Sequence, residues 1–211
     1  MTLTRRSILG GAAAFGAGGL AVTALPLLGS GGESRDSLGV EDVLYDIDGP
    51  VQGNPEGDVT IVEYFDYQCP YCKMNHPMLL DLVARDGNLR LVMKDWPIFG
   101  APSVQASQLA LGAVELGDYE AAHNALMATE GRLSNALIEE TLEAAGVDPA
   151  AAEEAYKANR DRWDRFMTRN SKQAAVFGLR GTPAFIIGTR IYAGALDGRA
   201  LSTAVSQARS T

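Results

Sequence analysis

A β-branched and aromatic run, Val59–Phe65, is followed after three residues by Cys69-Pro70-Tyr71-Cys72, and a helical pattern begins at once. This arrangement predicts a central strand turning into a helix, with the chain's only two cysteines at the junction. A thiol at a helix N-terminus faces free backbone N–H groups and the positive end of the dipole, and both favour its thiolate. The placement points to thiol–disulfide exchange. A structural bridge explains it poorly, because a disulfide closing a four-residue loop removes little entropy from the unfolded chain.

The N-terminal segment predicts export. Arg5-Arg6 precedes a Gly/Ala/Leu-rich stretch from Ile8 to Leu28, and no acid occurs before Glu33. Thr4-Arg5-Arg6-Ser7-Ile8-Leu9 resembles the twin-arginine type of bacterial signal, with Ile8 where Phe is typical and Gly10 where Lys is. Val22-Thr23-Ala24 offers small residues for cleavage after Ala24. An ordinary secretory signal and an uncleaved anchor are the alternatives, since Ile8–Leu28 is long enough to span a bilayer. Each reading places the remaining protein outside the cytoplasm, where disulfides persist. The formal charge is −8, and the leader holds two arginines and no acid, so the remainder carries −10. Lys and Arg form no dense run, which argues against a nucleic-acid partner.

A leader over 1–29 and a flexible Gly/Ser-rich tether over 30–43 are expected to precede the folded part. A first α/β part, 44–102, then carries an edge strand at Leu44–Ile47 closed by Gly49-Pro50, and a turn at 53–58. Val59–Phe65 follows, then a helix from Cys69 to Arg85, kinked at Pro77 and ended by Gly87. With the strand Leu89–Met93 these form a βαβ unit, so its two strands should be parallel. The segment 103–177 reads as helical throughout. Ser103 is its first expected cap, with Asp118, Ser134 and Asp148-Pro149 starting later helices and Gly117 and Gly146 ending them. The last long helix sets Trp163, Phe166, Met167, Asn170, Ala174 and Phe177 on one face, a core stripe. A final part, 178–211, returns to β structure at Ala184–Ile187 and Ile191–Ala193 around a Gly188-Thr189 turn. It closes with a helix capped by Asp197.

Glu63-Tyr64-Phe65-Asp66-Tyr67-Gln68-Cys69-Pro70-Tyr71-Cys72, the helical insertion, and Gly181-Thr182-Pro183 before a hairpin together resemble the DsbA family of bacterial periplasmic thiol–disulfide oxidoreductases. The match runs from about Leu44 to the C-terminus. It implies an α/β, thioredoxin-like fold with an inserted all-helical domain, and a periplasmic disulfide oxidase with no cofactor beyond the redox-active Cys69–Cys72 pair. Its partners would be exported proteins with cysteines and a membrane reoxidant such as a DsbB-like quinone reductase. Cys69 is expected to be the exposed nucleophile and Cys72, one turn deeper, the resolving thiol. The resemblance makes Pro183 a cis-proline facing the pair. Thr182 would offer its backbone to an extended substrate and its hydroxyl to the sulfurs. Pro70 supplies a helix-compatible φ, and Tyr71 lines the groove. Glu63, an acid on an apolar strand, would assist proton transfer at the deeper thiol. Lys94 is a candidate ion-pair partner for it.

Thr182 stands where the family's oxidases often carry Val, which keeps a disulfide isomerase or reductase open. The short stretch Leu38–Asp58 leaves little room for the dimerisation region that isomerases use, so a monomer is expected. A metal-binding protein is the alternative of another class, since Cys69, Cys72 and His76 form a C-x2-C-x3-H triple and His123 is the only other histidine. Haem attachment fails because Lys73, not histidine, follows Cys72. His76 is otherwise expected to be a partly exposed residue of the helix's second turn. Trp96, Pro97 and Phe99 are expected to pack near the insertion.

Overall fold

The computed structural model describes residues 39–210; the expected leader and most of the expected tether lie outside the described residues. Short helix α1 (Val40–Leu44) leads to strands β1 (Val51–Gly53) and β2 (Val59–Phe65), helix α2 (Pro70–Asp86) and strand β3 (Leu89–Asp95). Five helices follow: α3 (Ala101–Leu116), α4 (Tyr119–Ala128), α5 (Asn135–Ala144), α6 (Pro149–Ala158) and α7 (Arg160–Val176). Strands β4 (Ala184–Ile187) and β5 (Arg190–Ala193) and helix α8 (Gly198–Arg209) complete the chain. The sheet order is β1-β3-β2-β4-β5, with β2 and β3 parallel and the other pairs antiparallel. The βαβ unit expected around the cysteines is present, and so is the thioredoxin-like fold.

Alternation along the central strands divides the core. Ile61, Phe65, Leu91 and Met93 pack with Leu79, Leu82 and Val83 of α2 and Leu201, Ala204 and Val205 of α8. Val62, Tyr64 and Val92 face the other way, onto Val43, Leu44 and Ala174. The first cluster continues without a break into the insertion through Ala106, Ala110, Leu126 and Ile138. The inserted helices therefore share much of their core with the sheet, while Leu111, Tyr156, Trp163 and Phe166 form a smaller cluster of their own.

The expected edge strand at Leu44–Ile47 is the end of α1 and a turn. Asp42 accepts the Gly39 N–H at 3.0 Å, starting a helix that buries Val43 and Leu44. Asp46 turns inward to Lys94, and Arg90 holds the Leu44 and Asp46 carbonyls. The sheet edge falls instead to β1, with Val51 opposite Val92. The end of the expected tether is accordingly part of the folded unit. The expected cap at Ser103 also shifts: α3 starts at Ala101 after Gly100, and Ser103 is buried inside its first turn. Pro102 explains this, because proline suits an opening turn where its missing N–H is not needed. The caps at Ser134, Asp148 and Asp197 all accept backbone N–H bonds as expected.

Helices α3 and α6 meet at Gly112. A β-carbon there would lie 1.9 Å from the Ala152 carbonyl oxygen. Gly112→Ala should force the two helices apart and destabilise the fold by about 3 kcal/mol, the upper part of the range for overpacking. Its denaturant midpoint reads this directly; an unchanged midpoint would mean the helices separate freely.

Candidate active site

The loop joining β2 to α2 is built around Asp66. Its carboxylate accepts the Gln68 N–H at 2.7 Å and the N–H groups of Ile98 and Phe99 at 2.6 and 3.0 Å. The Asp66 carbonyl accepts the Cys69 N–H at 3.0 Å. Gln68 donates to the Phe99 carbonyl and accepts the Leu133 N–H, tying the same loop to the insertion. Neither residue was singled out by the sequence reading. Their signal is an acid at a strand-to-helix turn, where short carboxylates bond backbone N–H groups two residues on.

Cys69 caps α2 with extended backbone angles, Pro70 occupies the first turn, and Lys73 N–H donates back to the Cys69 carbonyl at 3.2 Å. Both thiols are free, and the Cys72 thiol lies close enough to the Cys69 sulfur to favour its thiolate. The Thr182–Pro183 bond is cis, and the Thr182 carbonyl lies 3.2 Å from Cys69 Sγ. Pro183 is buried and directly precedes β4, which pairs with β2 next to the cysteine loop. The expected juxtaposition of Cys69, Cys72, Thr182 and Pro183 is thus present.

One expectation about exposure is corrected. Cys69 is only 1% exposed, because the Thr182 segment and the N–H groups of its own helix close around the sulfur. The exposed surface beside it belongs to Pro70, Tyr71, at 59%, and Met74. Tyr71 therefore reaches solvent with its ring while its backbone N–H faces the thiolate.

The Cys69 thiol is lowered to about 6. The Cys72 thiol is the chief cause, working against burial, and the Thr182 side chain and the N–H groups of Cys72 and Tyr71 add to it. At pH 7 the thiolate then exceeds the thiol by about tenfold. Cys72 is pushed far up, first by burial, then by its bond to Cys69 and the nearby Glu63 charge. One sulfur is ionised and its partner keeps its proton, the division of labour that exchange requires.

Glu63 is fully buried, with neither carboxylate oxygen hydrogen-bonded by the protein. Burial and the adjacent Cys69 charge raise it to about 8, so it holds a proton at neutral pH. The candidate pairing with Lys94 is not formed. Glu63 sits opposite Met93, whereas Lys94 sits opposite Tyr64, so strand alternation sends Lys94 to the other face of the sheet. There it pairs with Asp46, which also takes Arg169 at 2.9 Å.

His76 is 7% exposed rather than partly open, and its Nε2 bonds Asn124 at 3.0 Å. Among the described residues no three His, Cys, Asp or Glu side chains converge as a metal site. Trp96 packs against the Tyr64 ring, while Ile98 and Phe99 are exposed. Among the described residues no helix is long and apolar enough to cross a membrane.

A parallel βαβ core with a dithiol opening its helix, faced across the sheet by a proline loop, defines the thioredoxin-like class. The chain belongs to the thioredoxin family: the family model described as Thioredoxin matches residues 46–207. Its fold is shared with a thioredoxin-like oxidoreductase from Silicibacter pomeroyi DSS-3, at 36% identity and TM-score 0.76, over 80% of this chain and 96% of that one. It is also shared with the thiol-disulfide exchange protein alpha-DsbA2 from Wolbachia pipientis, at 28% identity and TM-score 0.74, over 79% of this chain and 90% of that one. Among curated relatives, the Na(+)/H(+) antiporter NhaA 1 of Salinispora arenicola is 30% identical over 184 residues, 83% of this chain and 28% of that protein. The chain spans about a quarter of the length of the curated relatives it matches.

Proposed function

We propose that this protein is a periplasmic disulfide oxidase that donates the Cys69–Cys72 disulfide to exported proteins, with no other cofactor. The observation that carries the proposal is the Cys69–Cys72 pair at the start of α2, with the Cys69 thiol lowered to about 6, chiefly by the Cys72 thiol. Stabilising the reduced pair makes the oxidised pair a better electron acceptor.

In the proposed cycle a client thiolate attacks Cys69 Sγ. The Cys69–Cys72 bond breaks, a client–Cys69 disulfide forms, and Cys72 leaves as a thiolate that takes the Glu63 proton. A second client thiolate then attacks the client sulfur of that mixed disulfide, forming the client's own disulfide and releasing the Cys69 thiolate. Two electrons pass from client to protein, and a membrane quinone reductase of the DsbB type would remove them. Thr182 and Pro183 precede β4, where an extended client would lie beside them. Tyr71 and Pro70 form the open edge of that approach. The leader-like N-terminus supports the periplasmic location, with twin-arginine export as its route.

Equilibration with glutathione tests the direction of the reaction. A potential more positive than about −200 mV is expected, while a value at or below about −270 mV would make the protein a reductase. The isomerase or reductase reading draws on one specific observation: the residue whose carbonyl lies 3.2 Å from Cys69 Sγ is Thr182, where the family's oxidases often carry Val.

A further inference from the structure

A loop of the helical insertion is held against the cysteine motif at both of its ends. Residues 129–134 join α4 to α5 and turn at Gly131, where φ is +69°. At one end Lys73, the residue after Cys72, donates from its ammonium to the Thr129 carbonyl at 2.9 Å and hydroxyl at 2.7 Å. At the other end the Leu133 N–H donates at 3.0 Å to the side-chain carbonyl of Gln68, the residue before Cys69. The tip between these anchors, Glu130-Gly131-Arg132, is exposed. Four hydrogen-bonding groups on the two flanks of the motif thus fix where Arg132 stands.

A second exposed cation reaches the same sulfur from another element. Arg180 lies two residues before Thr182, whose carbonyl is 3.2 Å from Cys69 Sγ, and two residues span at most about 7 Å of chain. Arg85, Arg160, Arg162, Arg169 and Arg209 each pair with a carboxylate. Among the described residues Arg132 and Arg180 do not, although the chain carries 26 acids against 18 lysines and arginines. The acid nearest in sequence to the cysteines, Asp66, is buried and already accepts three backbone N–H groups. Glu130 is the one acid of the loop, set against Lys73, Arg132 and Arg180. The site is therefore locally basic on a protein that is acidic as a whole.

Resting on the exchange reading, we propose that Arg132 and Arg180 make the site selective for client segments that carry aspartate or glutamate beside the reactive cysteine. In the oxidised protein neither sulfur is charged, so the three cations outweigh Glu130 and draw such a segment in. Each guanidinium can hold a carboxylate through two parallel hydrogen bonds. The bonds made and broken stay those of the cycle above; the arginines change only which client arrives. Once the second client thiolate has released Cys69 as a thiolate, that new negative charge opposes the client's acids. The finished client then leaves more readily than it came.

The test uses the oxidised full chain and short peptides whose single cysteine is flanked by glutamates, serines or lysines. Loss of oxidised protein is quenched with acid and read by mass. Dividing each rate by the same peptide's rate with a small uncharged disulfide removes the effect of its own thiol pKa. The glutamate peptide should react about tenfold faster than the lysine peptide at low salt, the low end for electrostatic steering. The ratio should fall towards one near 1 M salt, where screening acts within about 3 Å. Arg132→Glu and Arg180→Glu should each cut the low-salt ratio by about threefold, the scale of one exposed ion pair. Arg165→Glu, an exposed position in the first half of α7, makes the same change in net charge and should leave the ratio as it is. A wild-type ratio within about twofold of one would overturn the proposal. So would equal slowing of all peptides in the two site variants, or an Arg165→Glu effect as large as theirs. Wild-type protein inert towards every peptide would defeat the exchange reading itself.

Discussion

Cys72→Ala should raise the Cys69 thiol from about 6 towards its ordinary value of 9.0, because the Cys72 thiol is the largest cause of its depression. Ultraviolet thiolate absorbance, titrated against pH in reduced protein, reads the shift. Cys72→Ser keeps a donor at the same place and should raise it less. Both variants lose the resolving sulfur, so turnover should fall by about a thousandfold or more, as when one member of a concerted catalytic group is removed. With Cys72→Ser, clients should remain attached to Cys69 as mixed disulfides, recoverable under non-reducing conditions. A Cys69 value unmoved in both variants would show that the helix N-terminus, not the second thiol, holds the charge. Absence of any trapped client from an exported-protein extract would count against exchange.

The second large effect is on stability. Glu63 is raised to about 8 in the folded protein against 4.5 ordinarily, so the native state holds this proton more tightly than the unfolded chain. Its contribution is fully present below about pH 4.5 and is lost as pH rises through about 8. Across that window the folded protein should lose on the order of 5 kcal/mol through this one group, at about 1.4 kcal/mol per pH unit. Glu63→Gln should flatten this part of the stability–pH curve, whatever constant offset the amide introduces. Part of the shift comes from the Cys69 thiolate, which the oxidised protein lacks, so the oxidised Glu63 midpoint should lie lower than the reduced one. Equal midpoints would mean that this charge is unimportant. Denaturation midpoints from pH 4 to 9, in both redox states, settle the matter. A variant with the wild-type slope would mean Glu63 is ionised throughout.

Much of the site was legible because it is local. The strand Val59–Phe65, the cap at Cys69 and the helix from Pro70 are set by neighbouring residues, and so are the caps at Ser134, Asp148 and Asp197. Lys94 could have been placed on the far face by counting along β2 and β3, since register and alternation fix it. Leu44–Ile47 misled because its apolar residues suit a strand, while the capping contact of Asp42 and the inward turn of Asp46 are decided elsewhere. His123 entered the sequence reading only as the second histidine of the metal alternative, with no sign of its contact with Tyr67. It lies 56 residues from Tyr67, and only the packing of α4 against α2 brings them together.

The sequence by itself determined that a dithiol would open a helix after a buried strand, because propensity, alternation and capping act over a few residues. Only the tertiary structure decided which charge each sulfur carries. The Thr182 segment and the buried Glu63 converge on the cysteine pair from separate parts of the chain. Desolvation and hydrogen bonding at that meeting point, not the order of residues, set the proton's place.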